Sequence, residues 1–99
     1  MYYSIEGKLT QKGDRFVVLN NAGIGYKIYV SESTLFSTPI IGAQYSLFTH
    51  FTVREDAHDL FGFETEDELS FFEMLIQISG IGPRGALSIL SVATIPILK

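Results

Sequence analysis

Ser79-Gly80-Ile81-Gly82-Pro83-Arg84 is the stretch on which the reading of this chain turns. Two glycines flank one apolar residue, a proline follows, and a cation comes next. Upstream, Leu69, Phe72, Leu75, Ile76 and Ser79 recur at helical spacing, opposite a polar stripe of Glu66, Ser70, Glu73 and Gln77. Downstream, Ala86, Leu87, Leu90 and Ala93 form a second apolar face. The segment therefore predicts a helix, a tight connection and a second helix. Thr65-Glu66-Asp67-Glu68 opens the first helix as a capping box: the threonine hydroxyl accepts from the amide of Glu68, whose side chain reaches back. The acids also face the positive end of the helix dipole. This helix should end near Ile78, where the glycines interrupt the pattern. The second should start at Pro83, which suits a first helical position. Thr94-Ile95-Pro96 reads as a cap and restart, with a third helix running into Lys99.

Each residue of the connection has a physical use. Gly80 and Gly82 allow a sharp turn and let a bulky anion approach the backbone without a Cβ in the way. Ile81 between them can plug into the core shared by the two helices. The amides after Gly80 open the second helix, lack intrahelical partners and sit at the positive end of its dipole. Arg84 adds a charged contact from the first turn. The plain alternative is a tight turn between packed helices, since glycine and proline are common there. The combination of two glycines, the apolar plug, the helix-starting proline and the cation favours a phosphate clamp. Ser79, Gly80, Ile81, Gly82, Pro83 and Arg84 are thus the candidate nucleic-acid backbone contacts, of a kind that reads no base sequence.

Before Thr65 the pattern is β. Tyr2 to Leu9 is a strand candidate, followed by a turn at Gln11-Lys12-Gly13-Asp14. Arg15 to Leu19 is a second strand and Asn20-Asn21-Ala22-Gly23 the next turn. From Gly25 to Val30 the residues alternate, with Tyr26, Ile28 and Val30 on one face and Lys27 and Tyr29 on the other. Ser31 to Phe36 forms a short helical turn ahead of Pro39. Tyr45 to Val53 and His58 to Phe63 complete the set, joined by the loop Arg54-Glu55-Asp56-Ala57. Five short strands with one helical insert suggest a mainly β N-terminal domain, either a Greek-key barrel of the oligonucleotide-binding (OB) type or another small five-stranded barrel. The division expected is a barrel over residues 1–63 and an all-α helix–hairpin–helix segment over 64–99.

Ninety-nine residues, 46% hydrophobic and 18% charged, suit a globular chain of one domain or a small domain plus part of another. There is no cysteine, so disulfides and thiolate metal sites are excluded. The N-terminus lacks a basic cluster followed by an apolar run, which argues against a signal peptide. No apolar stretch is long enough to span a bilayer. A cytoplasmic location is expected. The net charge of −4 sits awkwardly with nucleic-acid binding, and the seven basic residues are scattered. Backbone amides must then carry much of the binding, or several copies must pool their charge.

Other chemistries find little support. His50, Asp56, His58 and Asp59 match no tight metal-ligand spacing, and His50 falls within a strand. Phe51, Phe61 and Phe63 can be read as base-stacking rings, but their positions on strands favour core packing. No Asp or Glu occurs from Ser79 to Lys99, which excludes the downstream carboxylate that glycosylases with this motif require. No nucleophile–base pair and no phosphate-binding nucleotide loop is present. No catalysis and no cofactor are expected.

The hairpin segment is that of the helix–hairpin–helix motif. A longer set of residues closely resembles the RuvA family of bacterial Holliday-junction-binding proteins: Phe48 to Ala57, Leu60-Phe61-Gly62-Phe63, Phe72, Leu75-Ile76, Gly80-Ile81-Gly82-Pro83 and Ala86 to Ser91. Ile5-Glu6-Gly7-Lys8-Leu9 and Gly23-Ile24-Gly25-Tyr26 look like that family's first and third strands. The resemblance implies an OB-type barrel followed by a domain with two helix–hairpin–helix motifs. It implies homotetramers that hold a four-way junction open and recruit the RuvB motor, whose ATP hydrolysis drives branch migration in recombination, repair and the SOS response. The loop matching Glu55 and Asp56 is implied to be an acidic pin that repels phosphates near the junction centre. Gly80, Gly82 and Arg84 match phosphate-contacting positions, where the family often has Lys in place of Arg84. The second hairpin and the motor-binding domain are expected beyond Lys99, so the chain reads as the barrel plus a first hairpin. A generic DNA- or RNA-binding module is the alternative.

Overall fold

The computed structural model describes residues 2–53, 55 and 57–92. Arg54 and Asp56 of the predicted loop, Ala93 of the second helix and the predicted third helix lie outside the described residues. The elements run β1 (Ser4–Lys12), β2 (Phe16–Asn21), β3 (Ile24–Tyr29), α1 (Glu32–Ser37), β4 (Gln44–Val53), β5 (His58–Phe63), α2 (Glu66–Leu75) and α3 (Pro83–Val92).

The five strands close into a barrel in the order β1-β2-β3-β5-β4. All neighbours are antiparallel except β3 and β5, which pair in parallel through Ile28 with Leu60 and Tyr29 with Phe61. This is the predicted OB-type architecture followed by helices. Closure is made possible by β1, which serves two neighbours. Its first half pairs with β4, from Ser4 opposite Phe48 to Lys8 opposite Gln44. Its second half pairs with β2, and the register slips between Leu9 and Gln11. The slip is a bulge that bends the strand from one partner to the other.

That bend also explains a boundary the sequence misplaced. The predicted turn began at Gln11, but β1 continues to Lys12 and the chain turns at residues 13–15. Gln11 and Lys12 are polar because they face water, which sequence pattern alone reads as a turn. The second turn is likewise shorter than predicted. Asn20 and Asn21 stay in β2, and only Ala22 and Gly23 turn, both with positive φ. The β5 bounds coincide with those expected, and the β3 alternation holds: Ile28 and Val30 are buried inside, Tyr26 packs beside them, and Lys27 and Tyr29 face out.

Two cores share one strand. The barrel interior holds Ile5, Leu9, Val17, Leu19, Ile28, Val30, Leu47 and Leu60. A second core lies on the barrel's outer side, where Phe61 and Phe63 of β5 meet Leu69, Phe72 and Leu75 of α2 and Ala86, Leu87 and Leu90 of α3. The Phe72 ring lies 4.8 Å from Phe63 and 5.4 Å from Phe61, centroid to centroid. Gly62 faces inward between them; a Cβ there would sit 2.5 Å from Ile28 Cγ2 and 2.9 Å from Leu47 Cδ1. The barrel and the helices therefore share buried side chains, although the chain switches from strand to helix at residues 64–65.

Polar contacts reinforce this junction. The capping box at α2 forms as expected, with Thr65 Oγ1 accepting from the Glu68 amide at 3.1 Å and Glu68 Oε1 accepting from the Thr65 amide at 3.2 Å. Caps of this kind contribute about 1 kcal/mol. His50 Nδ1 lies 2.9 Å from Glu73 Oε2, and its ring meets Phe72 edge-on, so this histidine ties β4 to α2. Tyr3 donates to Glu66, and Tyr45 donates to Glu64 at 2.9 Å.

Two outcomes are expected. Gly62→Val overpacks the barrel and should cost about 1–3 kcal/mol, read as a fall in Tm of several degrees per kcal/mol in a domain of this size. Tyr45 is pushed well above its ordinary range, chiefly by burial and then by its bond to Glu64. The folded chain therefore keeps a proton that the unfolded chain loses from about pH 10 upward, so stability should fall as pH rises past that point. Tyr45→Phe should flatten this alkaline decline in chemical denaturation. An unchanged slope would remove Tyr45 as its source.

Candidate nucleic-acid interface

The hairpin between α2 and α3 is built from both ends. The predicted end of the first helix was Ile78, but α2 stops at Leu75 and Ile76 caps it. The chain tightens there: Gln77 N donates to Met74 O and Ile78 N to Leu75 O, each three residues back. Ser79, predicted on the apolar helix side, is consequently exposed in the turn. Gly80 has φ of +90°, a conformation L side chains rarely adopt. Ile81 is half-buried against the second core, so it acts as the predicted plug. Its amide donates to Ile78 O at 3.1 Å, which removes it from the set of free amides.

Beyond Ile81 the arrangement opens. Gly82 is exposed, and a Cβ built on it would meet nothing within 4 Å. Pro83 is the first residue of α3, as the sequence indicated. Among the described residues no acceptor is paired with the amides of Gly82, Arg84 or Gly85, while Ala86 N closes the first helical bond onto Gly82 O at 3.0 Å. Those amides sit at the positive end of a ten-residue helix. The Arg84 guanidinium lies 4.6 Å above the centre of the Tyr29 ring. This contact spans from α3 to β3 and holds the cation against the barrel, beside the free amides.

These residues form one wall of an open cleft of about 410 Å³. Gly82, Pro83, Arg84 and Gly85 face Thr52, Ala57, Asp59 and Phe61 across it. Thr52 and Ala57 flank the loop that carries Glu55, so that loop is rooted in the opposite wall. Glu55 is exposed, and its predicted companion Asp56 lies outside the described residues. The cleft thus sets a cation and helix-start amides on one side and the Asp59 carboxylate on the other. Sequence reading missed both Tyr29 and Asp59 as parts of this site. Alternation placed Tyr29 outward on β3, but no sequence signal shows that α3 docks there.

The other candidate groups are occupied elsewhere. His50 pairs with Glu73, and His58 meets Phe51 edge-on with centroids 5.9 Å apart. Among the described residues no three of His, Cys, Asp or Glu converge as a metal-ligand set. Phe61 and Phe63 are buried in the second core and cannot stack on a base.

Comparison with known proteins places this chain in a family. Residues 1–62 match the model of the RuvA N terminal domain. The chain belongs to the RuvA N-terminal domain family. Two RuvA relatives illustrate the extent of the likeness. A protein of Clostridium botulinum (strain Loch Maree / Type A3), named Holliday junction branch migration complex subunit RuvA, is 44% identical over 99 residues, covering 100% of this chain and 50% of its own length. A protein of the same name from Methylibium petroleiphilum is 50% identical over 91 residues, 92% of this chain and 47% of its own length. This RuvA-family chain spans about half the length of the curated relatives it matches. The matched family region ends within β5, while the likeness to the relatives continues through the hairpin and α3.

The two glycines of the hairpin should separate on substitution. Gly80→Ala forces a side chain into the left-handed region and should cost about 1–2 kcal/mol, visible as a lowered Tm. Gly82→Ala should hold Tm or raise it by a few degrees, because its Cβ enters open space and the substitution restricts the unfolded chain. Equal losses from both would show that Gly82 is packed in solution.

Proposed function

We propose that this chain is the barrel and first-hairpin part of a structure-specific DNA-binding subunit, one that binds four-way junctions through phosphate contacts and supports branch migration. One observation carries the reading: amides at the α3 start with no acceptor among the described residues, beside an open Gly82 and a ring-supported Arg84. A phosphate oxygen approaching Gly82 meets N–H donors, a favourable helix dipole and a guanidinium together. None of these groups reads a base edge, so affinity should not depend on sequence. The relatives' printed name supplies the junction and the branch migration complex, and the identity over the whole chain supports extending it here.

In this reading residues 1–63 and 64–99 divide the work. The helical part holds the backbone, and the barrel carries the loop of Glu55 and Asp56 as an acidic pin. Carboxylates at a loop tip repel a phosphate strand at close range and so keep the centre of a junction clear. Ser79 lies exposed at the hairpin edge, in reach of the same backbone. The subunit is itself non-catalytic, works in the cytoplasm, and acts with copies of itself and with the RuvB motor. Pooling copies answers the charge problem: each brings one clamp, and the clamps together neutralise enough phosphates to bind.

The test compares a four-way junction with a linear duplex of equal length by fluorescence anisotropy at several salt concentrations. The junction should bind more tightly at moderate salt, and equal affinities would leave a generic nucleic-acid module. Gly82→Val should weaken binding to both DNAs with no new base preference, while keeping the fold. A changed base preference would remove the phosphate-clamp assignment. Glu55→Gln should narrow the preference for the junction over the duplex, because the pin acts only at a crossover.

A further inference from the structure

The outer face of β2 and β3 carries a row of side chains that the hairpin reading leaves unused. Val17, Leu19, Ile28 and Val30 point into the barrel. Their neighbours Phe16, Val18, Lys27 and Tyr29 therefore point out. Phe16 stands opposite Tyr29 and Val18 opposite Lys27 in the antiparallel register. The Phe16 and Tyr29 rings meet edge-on at 6.5 Å. Lys27 Nζ lies 4.5 Å from the centre of the Phe16 ring and 5.3 Å from that of Tyr29. Arg84 lies 4.6 Å from the same Tyr29 centre. Two cations from different elements thus share one aromatic ring.

We propose that Phe16, Lys27 and Tyr29 form a second phosphate-binding site, continuous with the hairpin, for the backbone of a duplex arm. The inference rests on the hairpin reading above and extends its track across the barrel. The first argument is charge. Among the described residues the ion pairs are Arg15 with Glu32 and His50 with Glu73. Neither Lys27 nor Arg84 belongs to either pair; Asp59 lines the same cleft as Arg84 without forming an ion pair with it.

The second argument is geometry. Lys27 and Arg84 flank one ring and lie within about 10 Å of each other, since both distances run to the same centroid. That spacing lets them engage phosphates of a single strand. The third argument is ordering. A cation held on an aromatic face keeps its N–H donors free while losing rotamer freedom before the ligand arrives. Less ordering cost then falls on binding. Tyr29 is in this scheme a positioning residue for Arg84 as well as the bridge to Lys27.

The test uses the chain itself with the same junction and duplex, and reads the dependence of affinity on salt. Lys27→Gln should reduce the slope of log affinity against log salt by about one, at unchanged Tm. Lys27→Arg should restore it. Lys8→Gln changes net charge equally but lies on β1, and should leave the slope as it was. Tyr29→Leu should weaken binding, whereas Tyr29→Phe, which keeps the ring, should not. A folded Lys27→Gln with wild-type slope and affinity overturns the proposal, as does an equal effect from Lys8→Gln. If Gly82→Val still loses binding in either case, the hairpin reading stands and only its extension falls. If Gly82→Val and Arg84→Gln both bind like the wild type, the hairpin reading fails and the extension with it.

Discussion

Everything in this structure hangs on β5 being buried on both sides. A barrel strand normally shows one face to the core and the other to water. Here Leu60 and Gly62 face inward, while Phe61 and Phe63 face a second core made with α2 and α3. Phe72 is the centre of that core, touching both phenylalanines, with none of its side chain exposed. Truncating such a ring typically costs about 3–5 kcal/mol, a large share of the stability of a domain this size. More than stability depends on it. The packing of Phe72 on β5 fixes α2 against the barrel, and with it the hairpin that follows. Weak surface contacts, such as Arg15 with Glu32 or Ser91 with the Glu32 amide, trim that placement without creating it.

This two-sided burial is also where sequence reading reached its limit. Strands with one wet face announce themselves by alternation, and β3 was legible for that reason. The capping box at Thr65 was legible because it is a local pattern of donors and acceptors. The run Leu60-Phe61-Gly62-Phe63 is apolar throughout, so its periodicity says nothing about what lies on each side. The strand was found, but its second partner was not. Boundaries failed where local polarity and tertiary geometry disagree. Gln11 and Lys12 are polar residues of a bulged strand. Ser79 follows a helix that had already tightened into a turn three residues earlier. At the site, the plug, the open glycine and the helix-starting proline were readable from residue type. Tyr29 under Arg84, and Asp59 across the cleft, were not, because both depend on how α3 docks.

The acidic balance of the chain is less of a contradiction at the scale of the site. A phosphate responds to the groups within roughly a Debye length, about 8 Å at physiological salt, and less to the net charge of the whole molecule. On the hairpin side of the cleft that neighbourhood holds helix-start amides and Arg84. Across the cleft it holds Asp59 and the root of the Glu55 loop. A strand lying on the first side is attracted, and one displaced toward the second is repelled. In the proposed reading the acids act as a boundary on the path of the backbone, a geometric form of selectivity available without contact to any base.

The residues of the hairpin answer to different constraints. Gly80 answers to the fold: its φ of +90° is what turns the chain back after α2. Ile81 answers to the core, and even its amide is used by Ile78. Gly82 answers to neither. Its surroundings have room for a side chain, and its backbone makes no demand that glycine alone can meet. Free space is where stability-driven substitution is easiest, since replacing glycine at a compatible position typically stabilises by about 0.4–1 kcal/mol through the unfolded chain. A glycine at such a position forgoes that gain. In the proposed reading that space belongs to a ligand, and a Cβ there would hold a phosphate away from the amides that follow.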